Sequence, residues 1–254
     1  MSNISLETYR VRNSDEAYYI PDFVSKDEEQ YLIRKICESP QPKWKKLHNR
    51  RLQIWGGELT AKNQLIPQPF PDFIVKFPDV LGRIQATGSF HSSPHGRPNH
   101  VILNEYLSGQ GIMPHEDGPS YHPVVATLSL GSHAVFHYYQ YRSEEDATDD
   151  VSGNGRSIDS TPVVSLLLEP RSLVITRGFL YRDHLHGIND VMEDVFPGVG
   201  GLRDGIEIAN VDLLADEAYR EMVIQGGTSK RDTRYSLTCR DVERVAKHVP
   251  LATR

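Results

Sequence analysis

The sequence predicts a mainly β protein with flanking helices: a jelly-roll core carrying an N-terminal helical layer. From His100 onward, short runs rich in β-branched and aromatic residues follow one another: "HVILNEYL", "VVATLSLG", "AVFHYYQY", "VVSLLLEP", "SLVITRGFLY" and, much later, "RYSLTC". Turn signals separate them, the pattern of short strands. No helices alternate between them, which favours an antiparallel sandwich or barrel over a parallel sheet. The clear helix signals lie before His100, which places the helical layer at the N-terminus.

Taken in order, "YYIPDFVSKDEEQYLIRKICESP" reads as a short apolar strand and then a helix. Ser25 is the expected N-cap, with Glu28 three residues on completing a capping box; Leu32, Ile33 and Ile36 recur at helical spacing, and Pro40 stops the run. A second helix is expected over 78–87, with Pro78 at its first position and Val80, Leu81 and Ile84 facing inward. Two stretches interrupt the strands. Residues 142–162 are polar and Gly/Ser-rich and read as a flexible hairpin loop. Residues 189–232 combine a Gly cluster, "FPGVGGLRDG", with the helical pattern of "LLADEAYREMV". There is no internal repeat. The expected organisation is a single domain over 1–254, with a helical layer in 1–95 and the jelly-roll core in 96–245.

Composition narrows the function classes. The chain has 254 residues, is 38% hydrophobic and carries a formal net charge of −6. That acidity argues against nonspecific coating of nucleic acid, which needs a broad basic surface. The first thirty residues lack a basic flank followed by an apolar segment, and no apolar run approaches the roughly 20 residues that span a bilayer. A soluble, unsecreted protein is expected. Cys37 and Cys239 are the only cysteines; they are too few for a disulfide framework, so a reducing compartment and inert core thiols are expected. Charge is uneven along the chain. "PKWKKLHNRR" (42–51) gathers Lys43, Lys45, Lys46, Arg50 and Arg51 around Trp44, whereas "SEEDATDD" (143–150) is purely acidic and reads as a solvated insert. The basic run is either a solvated face or a phosphate-contacting lid.

Within the strands, two constellations carry chemistry. In "MPHEDGPSYHP" (113–123), strand alternation puts His115 and Asp117 on one face and Glu116 on the other. "YRDHLHGIND" offers His184 or His186 as a second imidazole, following the Gly-broken strand pair "SLVITRG" and "FLYRDHLHG". Two histidines and a carboxylate on one face of a metal leave positions open for substrate and dioxygen, the arrangement of non-haem Fe(II) oxygenases. His133 and His137 are most simply strand-face packing. In "RYSLTCR" (234–240), alternation sets Arg234, Ser236, Thr238 and Arg240 on one face and Tyr235, Leu237 and Cys239 on the other. Two arginines inside a barrel need anions, and a dicarboxylate would satisfy both. "NEY" adds Asn104 and Tyr106 on one face of the preceding strand, placed to donate hydrogen bonds to that acid.

In order, N-x-Y, H-x-D, a distal His followed by Gly-Ile, and R-x-S-x-T-x-R resemble the AlkB family of Fe(II)- and 2-oxoglutarate-dependent dioxygenases. The resemblance runs from about Tyr18 to Arg240 and includes "TLSLGS" and "SLLLEPRSLVITRG"; "PKWKKL", "LQIWGG" and "NEYLSGQGIMPHEDGPSYHP" are most similar to one eukaryotic branch. It implies a double-stranded β-helix core with Fe(II) held by His115, Asp117 and His186, leaving His184 a neighbour on the same strand face. It implies that Asn104, Tyr106, Arg234, Ser236 and Arg240 hold 2-oxoglutarate, Ser236 standing where many members carry Asn. Dioxygen would then convert 2-oxoglutarate to succinate and carbon dioxide while an N-methyl group is oxidised and lost as formaldehyde. The run from Lys43 to Trp55 falls where the family carries a nucleotide-recognition lid, so Lys45, Lys46, Arg50 and Arg51 are candidate phosphate contacts and Trp55 the candidate stacking residue. Tyr121 lies where substrate or cosubstrate contacts are possible. The implied partner is alkylated DNA or RNA, met by a monomer in nucleus and cytoplasm with no membrane association. The alternatives are a dioxygenase acting on a protein or small molecule, and a noncatalytic nucleic-acid-binding homologue.

Overall fold

The computed structural model describes residues 5–142, 156–198 and 207–246. The acidic run at 143–150, most of the expected 142–162 loop and most of the Gly cluster lie outside the described residues.

The N-terminal strand and helix form as expected: β1 (Ala17–Ile20) and α1 (Lys26–Cys37). The Ser25 side chain accepts the Glu28 N–H while the Glu28 carboxylate accepts the Ser25 N–H, so two backbone donors without helical partners are satisfied. Leu32 and Ile36 are fully buried. Four strands follow: β2 (Lys45–Lys46), β3 (Arg51–Trp55), β4 (Gly57–Leu59) and β5 (Leu65–Pro67). The layer expected to be helical is therefore partly β, because Leu52, Gln53 and Trp55 bury against the core although basic residues surround them. Next come α2 (Asp72–Val75) and α3 (Val80–Ala86). Asp79, not Pro78, begins α3; its carboxylate accepts the Gly82 N–H.

The strand-rich half contains β6 (His100–Tyr106), β7 (Ile112–His115), β8 (Tyr121–Gly131), β9 (Ala134–Tyr139), β10 (Val164–Leu168) and β11 (Leu173–Arg177). "FLYR" departs from its expected strand and forms a short helix, α4 (Gly178–Arg182), before β12 (Leu185–Ile188). The cause is local: Gly178 takes φ +59, and the Glu16 carboxylate accepts the Leu180 N–H at 2.6 Å. Then come β13 (Glu193–Phe196), the expected helix α5 (Glu217–Gln225), β14 (Gly227–Lys230) and β15 (Arg234–Val242).

The named strands pair antiparallel in two main sheets, ordered β1-β11-β8-β15-β6-β3-β2 and β10-β9-β12-β7, with β4-β5 and β13-β14 as separate two-stranded sheets. The sheets face each other as a double-stranded β-helix. One apolar cluster lies on the outer side of the larger sheet, where Leu103, Leu128 and Leu237 meet Leu32 and Ile36 of α1 and Val80 and Ile84 of α3. A second joins β9, β10 and β11 through Val135, Tyr138, Leu166, Leu168 and Val174. Each fully buried aliphatic side chain contributes about 1.5–3 kcal/mol relative to exposure. The expected alternation of β15 holds: Tyr235, Leu237 and Cys239 enter the first cluster, and Arg234, Ser236, Thr238 and Arg240 line the cleft between the sheets. Of the two thiols, Cys239 is buried and pushed up to about 12 by that burial. Cys37 is exposed rather than part of the core, because it ends α1 on the outward side, with Sγ 3.4 Å from the Tyr235 hydroxyl. Among the described residues no helix is long and apolar enough to cross a membrane.

Candidate iron and cosubstrate site

β7 and β12 are neighbours in the smaller sheet, with His115 directly opposite His186 and their rings 4.4 Å apart. β7 ends at His115, so Asp117 does not extend the strand, and alternation does not place it. Its carboxylate is instead gripped by Arg240, whose Nε donates to Oδ2 at 2.9 Å and whose Nη2 donates to Oδ1. This brings Asp117 Oδ1 to 3.6 Å from His186 Nε2. One ligand atom from each of His115, Asp117 and His186 falls within 4.8 Å of the others, the single such cluster among the described residues.

The protonation states suit a cation. Burial lowers His186 to about 4, and burial also lowers His115, partly opposed by the Met113 carbonyl and Asp117. Both imidazoles are therefore neutral at neutral pH. His115 Nδ1 sits 2.9 Å from the Met113 carbonyl; with the proton on Nδ1 donating there, Nε2 keeps its lone pair for a metal. Burial alone would raise Asp117, but the charge of Arg240, then His186 and the Arg240 hydrogen bonds, outweigh it and hold the carboxyl below its ordinary value. Two neutral imidazoles and one ionised carboxylate on one side form a donor set that fits Fe(II) with open positions. His184 precedes β12 rather than sharing its face, and its ring packs edge-on against Phe179 at 5.3 Å.

The opposite wall is built by β6, β8 and β15. In register, Ser236 stands between Asn104 and Ser129, and Arg234 lies opposite Tyr106. Arg234 is 3% exposed; its Nη2 donates to Ser129 Oγ at 2.8 Å, while Nε is buried with no partner among the described residues. Burial pulls its pKa down to about 10, so it remains cationic at neutral pH. A buried guanidinium with no carboxylate partner among the described residues needs an anion, and the terminal carboxylate of 2-oxoglutarate fits. Arg240 differs from the expectation that each arginine serves one end of the acid: two of its nitrogens are committed to Asp117, and Nη1 is left without a partner among the described residues. Arg240 thus grips a ligand of the candidate metal site and keeps one donor open toward the cleft. The Tyr121 ring lies 5.0 Å from its guanidinium carbon, which puts Tyr121 at the site.

The basic run divides into three parts. Lys45 and Lys46 are exposed on β2 and form no ion pair among the described residues. Arg50 turns inward, its Nε donating to Asn104 Oδ1 at 3.1 Å. Arg51 pairs with Glu105 and lies over the Trp44 ring at 4.2 Å, so its charge is already matched. Trp55 is corrected outright: it is 7% exposed, packs edge-on against Phe73 with ring centroids 5.4 Å apart, and donates its indole N–H to Gln53. Alternation along β3 turns its ring toward the core and away from the surface where a base would stack.

The family model described as the 2OG-Fe(II) oxygenase superfamily matches residues 16–240. The chain belongs to this superfamily. It is an oxygenase whose cofactors are Fe(II), 2-oxoglutarate and dioxygen, and the donor set and the buried Arg234, which has no ion pair among the described residues, fit them. A probable RNA/DNA demethylase, ALKBH6, from Danio rerio is 36% identical over 96% of this chain and 93% of its own length. A tRNA (carboxymethyluridine(34)-5-O)-methyltransferase, alkbh8, from Xenopus tropicalis is 28% identical over 88% of this chain, which spans 31% of that protein. Among solved structures, OsALKBH1 aligns with a TM-score of 0.49 at 14% identity, covering 90% of this chain and 99% of that one.

Sequence reasoning missed several lining residues of this oxygenase. Ser129 and Thr127 face the cleft; alternation in "TLSLGS" held that signal. Phe136 stacks on His186 at 5.5 Å, and Tyr138 and Thr176 share a hydrogen bond in the cleft wall. His133 is not on a strand face: it lies between β8 and β9, with Nε2 3.1 Å from Asp194 and Nδ1 3.1 Å from the Tyr219 hydroxyl. His137 does pack on a strand, bonded to Ser165 at 2.9 Å.

Proposed function

We propose that this oxygenase removes N-methyl groups from bases of DNA or RNA by oxidation. Iron with 2-oxoglutarate and dioxygen supplies the oxidising equivalents: one oxygen atom enters succinate, with loss of carbon dioxide, and the other enters the N-methyl carbon, which leaves as formaldehyde. The chain's own residues bind, orient and shelter. Arg234 would hold a carboxylate of the cosubstrate, Arg240 would steady Asp117 beside it, and Phe136 and Tyr138 line the cleft between the sheets. No side-chain nucleophile is needed.

The observation that carries the nucleic-acid reading is the arrangement at the edge of the larger sheet. β2 presents Lys45 and Lys46 to solvent beside β3, and the adjoining Arg50 reaches Asn104 in the cleft wall. Cations at the edge of a cleft suit a polyanion whose base is turned inward, as in enzymes that flip their target. The relative described as a probable RNA/DNA demethylase supports the same reading. The test is succinate release by the iron-loaded enzyme with and without methylated single-stranded oligonucleotides. Stimulation together with formaldehyde supports the proposal; equal turnover in both cases points to a protein or small-molecule substrate.

A further inference from the structure

We propose that the Tyr181 hydroxyl is a specificity-determining hydrogen-bond donor to an acceptor, a carbonyl oxygen or ring nitrogen, on the methylated base. The inference rests on the nucleic-acid reading above and adds to it a residue on the substrate side of the cleft.

Tyr181 lines the same cleft as His115, Asp117, His186 and Arg234. Its hydroxyl is buried and has no hydrogen-bond partner among the described residues. A buried polar atom without a partner is costly and calls for an explanation, which an arriving ligand supplies. Of the cleft-lining side-chain atoms that are buried without a partner among the described residues, Arg234 Nε and Arg240 Nη1 are cationic, and the Tyr181 hydroxyl is the neutral one.

The position of the phenol is built from outside the site. Tyr181 sits on α4, and Leu180 beside it is buried in the second apolar cluster. The Glu16 carboxylate accepts the Leu180 N–H at 2.6 Å, and the Glu16 carbonyl accepts the Arg177 N–H at 3.0 Å. A Cβ at Gly178 would meet the Glu16 carboxylate, which would have to swing away from the Leu180 N–H, and φ +59 there also favours glycine. Arg177 is held in turn by the Tyr18 hydroxyl and ring. Such support fixes the hydroxyl in place before any ligand arrives.

Chemistry and location select the ligand. Burial, with the charge of Asp117 adding and that of Arg240 opposing, raises the phenol well above its ordinary value, so it stays a neutral donor. A neutral donor suits a base acceptor; the cationic side chains are the partners for carboxylate and phosphate. The cosubstrate wall lies on β6, β8 and β15, whereas Tyr181 belongs to the segment leading into β12. Its neighbour Phe179 is 62% exposed while Leu180 and Tyr181 line the cleft, so the segment has one side on the surface and one on the cleft.

The decisive variant is Tyr181→Phe, which deletes one oxygen and keeps the ring. Binding of short single-stranded RNA and DNA oligonucleotides carrying 1-methyladenine, 3-methylcytosine or N6-methyladenine would be titrated anaerobically with Fe(II) and 2-oxoglutarate present. Unmethylated controls, 2-oxoglutarate affinity and the unfolding temperature would be measured alongside. A lost neutral hydrogen bond predicts roughly three- to tenfold weaker binding of the preferred methylated oligonucleotide. Affinity for 2-oxoglutarate should stay within about twofold, and the unfolding temperature should not fall, because the deleted group had no partner. Unchanged discrimination between methylated and control strands in the variant overturns this inference alone. Weaker 2-oxoglutarate binding or a lower unfolding temperature also overturns it, assigning the hydroxyl to the cosubstrate or to the fold. If the wild type prefers no methylated strand, the nucleic-acid reading fails first and the inference falls with it.

Discussion

Arg240 holds Asp117 through two nitrogens, Nε at 2.9 Å and Nη2 on the other carboxylate oxygen. The arrangement couples two functions in one strand, since Arg234 on the same face of β15 is the buried cation left for the cosubstrate. The strand that would bind the acid therefore also orients a candidate metal ligand, and it does so where β7 has already ended.

Replacing Arg240 by lysine keeps the charge and loses the fork. Partners that orient a metal ligand typically contribute 10–100-fold in metal affinity, so Arg240→Lys should weaken Fe(II) binding by roughly that factor. Anaerobic Fe(II) titration monitored by calorimetry measures it. An affinity within about twofold of wild type would show that Asp117 needs no such clamp.

Arg234→Ala should weaken 2-oxoglutarate binding more than Ser236→Ala. A charge-assisted pair is roughly twice as strong as a neutral hydrogen bond, and Arg234 is buried on the same face as Ser236 with no carboxylate partner among the described residues. Titration of 2-oxoglutarate into the anaerobic iron protein decides between them; equal losses in the two variants would refute the ranking.

His186→Ala should abolish stoichiometric iron, and His184→Ala should leave it intact. His186 faces His115 across the β7–β12 pair, whereas His184 packs on Phe179 outside the ligand cluster. Metal analysis of both purified variants checks this, and the reverse pattern would reassign the distal ligand.

Acid should destabilise the metal-free protein well before its carboxylates titrate. Burial lowers His100, His137 and His186 each to about 4 from an ordinary 6.5. Below pH 6.5 the unfolded chain takes up protons that the folded chain refuses, so stability is full above 6.5 and falls as pH drops toward 4. The limiting slope is about 1.4 kcal/mol per pH unit for each histidine. Urea unfolding at pH 7, 6 and 5 should show this decline, with a shallower slope in His137→Gln. A flat profile, or an unchanged slope in the variant, contradicts it.

What is readable in the sequence follows from periodicity and from short-range chemistry. The Ser25–Glu28 capping box and the two faces of β15 need only neighbours along the chain, and both appear as read. Spacing groups Asp117 correctly with His115, but through a strand that stops too early; its real support, Arg240, lies 123 residues away. α4 is unreadable for the same reason, since the Glu16 carboxylate that caps it is 164 residues distant. Trp55 misleads because basic neighbours suggest a surface, while the side-chain direction on β3 is set by pairing with β6.

With Trp55 buried, the exposed lysines of the basic strand at residues 45–46 belong to the part of the expected lid that faces solvent. Lys45→Ala with Lys46→Ala should flatten the salt dependence of oligonucleotide binding, because each phosphate that is no longer neutralised reduces the slope of log affinity against log salt by roughly 0.7 to 0.9. Trp55→Phe should leave both affinity and slope unchanged, since the indole faces Phe73 and not the solvent. Its effect belongs to stability: truncation of a buried tryptophan to alanine costs about 3–5 kcal/mol, and Trp55→Phe should lose a smaller part of that. Binding of a methylated single strand would be followed at several salt concentrations for the three proteins, together with their urea midpoints. Should Trp55→Phe bind weakly at an unchanged midpoint, the indole must swing out to meet a base. If the lysine pair changes neither affinity nor slope, β2 is a solvated edge and the polyanion enters elsewhere.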